Sequence, residues 1–194
     1  MNFTAKLFMT FIIVGLLTVV KQVNAQHDGS NEIHWQPLPL LDYTDFNGEP
    51  QNGSEVAMTS SGFYFNYQYN GKEDLNLELY ATFDKSKSWF KPEGKLPEVL
   101  AHEQCHFDIT ELYVRQLRKQ ITAFQFKKKT DFAKPLNKMY DDCNKKCSQA
   151  QRDYDLQTKH GIETEKQQEW QQKVAKELEE LKEFTREKME LKVE

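Results

Sequence analysis

Pro97-Glu98-Val99-Leu100-Ala101-His102-Glu103-Gln104-Cys105-His106-Phe107-Asp108-Ile109 decides how this chain is read. The stretch has helical spacing, and Pro97 suits a first helical position with Glu98 favourable in the first turn. On such a helix His102 and His106 stand one turn apart, about 40° apart around the axis, so both imidazoles can reach one metal ion. Glu103 stands about 100° from the first, over the coordination position left open. Val99, His102, His106, Ile109 and Tyr113 share one stripe, which places the histidines on the buried seam. The HExxH spacing is therefore that of a catalytic zinc site. The ion keeps one position for water and lowers its pKa to around 7, and Glu103 takes the proton as general base.

Upstream of the motif the pattern changes. Gly62 to Tyr69 is rich in aromatic residues, Asn70-Gly71-Lys72-Glu73-Asp74 is a turn, and Leu75 to Phe83 alternates with period two. This predicts a hairpin with residues 75, 77, 79, 81 and 83 facing the core and Asn76, Glu78 and Tyr80 facing outward. Downstream the chain reads as helical. The motif helix extends to about Phe126, a second runs from about Leu136 to His160 and stops at Gly161, and a third begins at Thr164. There Thr164-Glu165-Lys166-Gln167 has capping-box spacing. Trp170, Val174, Leu178 and Leu181 form the inward stripe of the third helix, and the charged residues from about 178 to 194 are read as a partly frayed helical tail. The fold class is α+β, an N-terminal antiparallel sheet on the motif helix with a helical C-terminal part.

The first 25 residues read as a signal peptide: Lys6, an apolar run from Leu7 to Val20, then Val23-Asn24-Ala25. Residues 26–194 then form one domain that is secreted or periplasmic, with no stable membrane span after cleavage. The net charge of −4 becomes about −6 once Lys6 and Lys21 are removed. No basic field remains to recruit nucleic acid. The three cysteines, Cys105, Cys143 and Cys147, allow one disulfide or none. A bridge between residues four apart on a helix would be strained, whereas Cys105 can meet either of the others if the two helices pack.

A catalytic zinc site needs a third protein ligand. Asp108 and Glu111 point roughly 240° and 180° from His102 and are excluded. His160 is the only histidine downstream of the motif and sits beside Gly161, where its ring can be aimed at another element. Asp155 is the alternative. On a regular helix it points about 140° from His160, so the two are not expected on the same ion. Tyr154, on the same helix, is a candidate donor to a tetrahedral oxyanion, or else a packed tyrosine with a satisfied hydroxyl.

Leu100 to Glu111 with Trp35 and Asp45-Phe46-Asn47-Gly48 upstream, Ser88-Trp89 before the helix and Tyr154-Asp155-Leu156-Gln157-Thr158-Lys159-His160-Gly161 after it resembles the bacterial domain of unknown function 922, predicted secreted zinc-dependent proteases. The resemblance implies a zincin-like metallopeptidase with Zn²⁺ as cofactor. It supports His160 as the third ligand, and its substrate would be a peptide or protein, a cell-wall peptide included. Cys105 stands where that family would be expected to carry a small residue, and a thiol so close to the metal would make activity redox-sensitive. The alternative function is a non-catalytic zinc-binding envelope protein that acts by binding a partner.

Overall fold

The hairpin forms where the alternation places it. In the computed structural model, which describes residues 31–71, 73–127 and 133–193, strand β3 (Ser61–Tyr69) pairs antiparallel with β4 (Asp74–Asp84), from Ser61 opposite Phe83 to Tyr69 opposite Leu75. Leu75, Leu77, Leu79, Ala81 and Phe83 are buried. Tyr80 departs from its expected exposure: it points outward but is also buried, because the rings of His34 and Tyr64 stack on either side of it, with centroids 3.9 and 4.5 Å away. The signal-peptide reading concerns residues outside the described ones. No described helix is long and apolar enough to cross a membrane.

β4 is the middle of the sheet. β3 covers one edge. The other is shared end to end by β1 (Glu32–His34), paired with residues 82–84, and β6 (Lys188–Lys192), paired with residues 74–78. The expectation of a frayed C-terminal helix is thus wrong. Helix α3 (Thr164–Glu180) ends, a 3-10 turn follows at Lys182–Phe184, and the chain returns as a strand. Met189 and Leu191 turn toward the core and pack against it, while Lys188, Glu190 and Lys192 face solvent. The free backbone groups of β4 supply the reason, since an edge strand satisfies them and a frayed helix would not. A second, two-stranded sheet joins β2 (Ala57–Met58) to β5 (Trp89–Phe90).

Helix α1 (Pro97–Ala123) begins at Pro97 as the sequence implies and stops three residues early. Phe126 instead forms a β-bridge with Val193 and is buried. The helix is buried on more than its expected stripe, because it lies between the sheet and the pair formed by α2 (Ala133–Thr158) and α3. Phe107 packs on Phe83 of the sheet, and Tyr140 of α2 reaches past α1 to Phe63 and Phe65. The Trp170, Val174, Leu178 and Leu181 stripe of α3 packs inward as expected.

The cysteines are all free and buried, in keeping with one disulfide or none. Burial pushes each thiol up to about 12. A thiol so far from its thiolate is a poor nucleophile, which argues against the redox sensitivity expected of Cys105.

Candidate metal centre

The two histidines of α1 stand as their spacing requires, one turn apart with rings perpendicular and centroids 4.8 Å apart. Their Nε2 atoms are 3.2 Å from each other. α2 packs across this face and brings in Asp155, whose Oδ1 is 3.2 Å from His102 Nε2 and 3.0 Å from His106 Nε2. His102, His106 and Asp155 are the group among the described residues that could hold a metal ion. Ligand atoms on tetrahedral arms of about 2.0–2.1 Å are roughly 3.3 Å apart, so this triangle is close to one face of such a tetrahedron.

The other ring nitrogens sharpen the case. His106 Nδ1 lies 2.6 Å from Gln151 Oε1, and His102 Nδ1 lies 3.2 Å from Gln167 Oε1. The orientation of both amides is fixed at their far ends. Gln151 Nε2 donates to the His106 carbonyl at 2.9 Å, and Gln167 Nε2 donates to the Glu98 carbonyl at 2.9 Å. An amide oxygen only accepts, so each Nδ1 is the N–H and each neutral ring turns its Nε2 lone pair toward Asp155. Two lone pairs and a carboxylate oxygen facing one point repel one another unless a cation or protons stand between them. Without an ion, a proton on His106 can take that place. Burial disfavours a charged His106, but hydrogen bonding to Asp155 and the charges of Glu103 and Asp155 outweigh it and raise its pKa. Burial would likewise raise Asp155, yet its hydrogen bonds with His102 and His106 and their charges hold it well below the usual carboxylate range.

Glu103 is buried, and its Oε2 has no hydrogen-bond partner. Leaving a buried carboxylate oxygen unmatched costs about 1–3 kcal/mol or more, and this one is near enough to His106 for its charge to act on that ring.

His160 does not join the triangle. Its side chain is 67% exposed, and its Nδ1 stands 3.6 Å from Asp155 Oδ1. The 140° separation expected of the two residues is overturned by the early end of α2 at Thr158. Lys159 and His160 adopt left-handed φ values of 49° and 54°, which fold the histidine back toward Asp155. Such conformations cost about 1 kcal/mol or more each for residues with a Cβ. Gly161 follows at φ 89°, and a Cβ there would meet Gln167 Oε1 at 3.1 Å and His102 Cγ at 3.3 Å. Glycine is needed for both its conformation and its close approach.

Tyr154 is fully buried beneath the centre. Its ring stacks on His102, with centroids 4.5 Å apart, and meets His106 edge-on at 5.0 Å. Its hydroxyl is turned to the His102 carbonyl at 3.5 Å. This is the packed tyrosine, and its geometry offers no donor to an oxyanion. Asp108 accepts from Trp35 Nε1 and Gln104, while Glu111 is held by Arg115 and Arg118, so both stay off the metal group as expected.

Gln151 and Gln167 are the residues that the sequence reading missed. Gln151 lies one turn before Asp155 on α2, the same spacing as His102 to His106, and that was its available signal. Gln167 had been assigned to a capping box, but the residue preceding α3 is Glu163 and makes no side-chain cap.

The model of the family described as "bacterial protein of unknown function (DUF922)" matches residues 47–161. The match spans more than half of the chain and includes both histidines, Glu103 and Asp155, so the chain belongs to this family. No curated protein and no solved structure matches it.

Proposed function

Starting from a family without an assigned activity, we propose that the chain is a zinc-dependent peptidase in which His102, His106 and Asp155 hold the ion and Glu103 is the general base. One observation carries the reading: three lone-pair-bearing atoms converge at 3.0–3.2 Å with an unmatched buried carboxylate oxygen nearby. Three protein ligands leave a position open, as catalytic zinc sites do, whereas structural sites close with four. Bound Zn²⁺ would supply a water acidified to around pKa 7 and polarise the scissile carbonyl.

In this reading Glu103 accepts the proton of the attacking water at its free oxygen and returns it to the departing amine. Asp155, on the half-exposed side of the group, faces the approaching substrate together with His160. The zincin-like fold and the secreted or periplasmic location belong to the same proposal. An extended peptide would add to β3, the last strand in the order β1-β4-β3. The β3 end of the hairpin also runs beside α1: Thr59 Oγ1 donates to the Glu103 carbonyl at 3.2 Å, and Ser61 Oγ is 2.7 Å from Thr110 Oγ1. The inner strand β4 is covered on both edges and cannot serve.

Metal analysis of the purified chain, with a peptide and cell-wall library screen, tests the proposal. Glu103→Gln keeps size and hydrogen bonding but not basicity. It should retain zinc and melting temperature while turnover falls at least about a hundredfold. Full hydrolysis by Glu103→Gln overturns the mechanism. Zinc binding without cleavage of any library member favours the partner-binding alternative.

A further inference from the structure

Gln167 stands at the fourth position of α3 after its N-cap, one residue past the position from which a capping-box side chain reaches back. It is buried, directed to His102 at one end and to the Glu98 carbonyl of α1 at the other. The α3 N-terminus goes without a side-chain cap, and Gly161 packs against both Gln167 and His102. Gln151 does the same for His106 from α2. Its amide N–H groups reach the His106 carbonyl at 2.9 Å and Thr110 Oγ1 at 3.1 Å. Each imidazole is thus gripped by an amide from a different helix, and each amide uses both of its ends.

We propose that Gln151 and Gln167 are the positioning residues of the metal centre. Each accepts an Nδ1–H and so fixes the tautomer and the ring plane that present Nε2 to the ion. The proposal rests on the metal centre proposed above. It divides each glutamine into two functions. The oxygen serves the metal, because it holds the ring. The N–H groups serve the fold, because they satisfy α1 carbonyls. Outer partners of ligand histidines change metal affinity by about 10–100-fold when removed.

Replacements separate the two ends. Gln151→Met and Gln167→Met keep length but remove the acceptor and the donor. Gln151→Glu and Gln167→Glu keep an acceptor for Nδ1–H, lose the donor and add a negative charge. In the full chain, competition between protein and a fluorescent chelator for Zn²⁺ should show the Met variants binding about 10–100-fold more weakly. The Glu variants should stay within about threefold of wild type or bind more tightly, since they preserve the acceptor. All four should lower the melting temperature of the metal-free protein by similar amounts. Nitrogen-15 spectra of the zinc-loaded wild type should show an Nδ1–H on both histidines. Met variants that stay folded and bind Zn²⁺ as tightly as wild type overturn the proposal, as does affinity that follows melting temperature across all four variants. A wild-type chain that does not bind Zn²⁺ at all refutes the metal centre itself, a different failure from either of these.

Discussion

Helix α1 carries two buried polar clusters, and they differ in whether they are complete. Toward its C-terminal half, Glu111 Oε1 accepts from Arg115 Nε at 2.8 Å and Arg118 Nη1 at 2.9 Å. The remaining donors go to backbone oxygens: Arg118 to Leu79 and Phe184, Arg115 to Leu178. Charge meets charge, and the network ties α1 to β4, to the end of α3 and to the turn before β6. Toward its N-terminal half, lone pairs face one another across His102, His106 and Asp155, and Glu103 Oε2 has no partner. Burial is common to both, so burial does not mark function. A buried cluster that satisfies itself is a fastener, and one that needs something from outside is a candidate site.

The largest effect expected from breaking this contrast lies in the complete cluster. Arg118→Met strands Glu111 with one partner and leaves the Leu79 and Phe184 carbonyls unmatched. Denaturant unfolding should record a loss of about 3–5 kcal/mol. A loss under 1 kcal/mol would remove the fastener reading. Next comes the incomplete cluster, which should gain stability from an added ion. Zn²⁺ at about a hundred times its Kd should stabilise the wild type by about 2.7 kcal/mol, seen as a rise in melting temperature that a chelator reverses. Asp155→Asn should abolish most of that rise. An equal rise in Asp155→Asn, with its loss in His160→Ala, would transfer the third ligand to His160.

The smallest effect is assigned to the tyrosine beneath the centre. Tyr154→Phe removes a long hydroxyl contact to the His102 carbonyl and the hydrogen bond with Cys105, and should cost about 1 kcal/mol, with zinc affinity and turnover nearly unchanged. A hundredfold fall in turnover with zinc retained would restore the oxyanion role to Tyr154.

Periodic segments were the legible ones. The hairpin, the start of α1 at Pro97, the inward stripe of α3 and the facing of His102 and His106 all follow from local geometry, since each depends on residues within a few turns or one strand. The C-terminal strand was misread although its signal is present: Met189, Leu191 and Val193 alternate with Glu190 and Lys192. Lys, Glu, Met and Leu are also good helix formers, and only the open edge of β4 decides between the two readings. His160 and Asp155 show a second kind of limit. Their separation follows from helix geometry only while the helix continues, and α2 ends at Thr158.

By itself the sequence determined that two imidazoles and a neighbouring carboxylate share a helix turn, because four residues cover little more than one turn. It also determined that a strand hairpin precedes that helix, because alternation allows one buried face. Only the tertiary structure decided that Asp155 rather than His160 completes the triangle, that Tyr154 turns its hydroxyl into the helix, and that Gln151 and Gln167 hold the two rings. These choices depend on how α2 and α3 lie across α1. That arrangement is set by packing among side chains far apart in the chain, which no local period records.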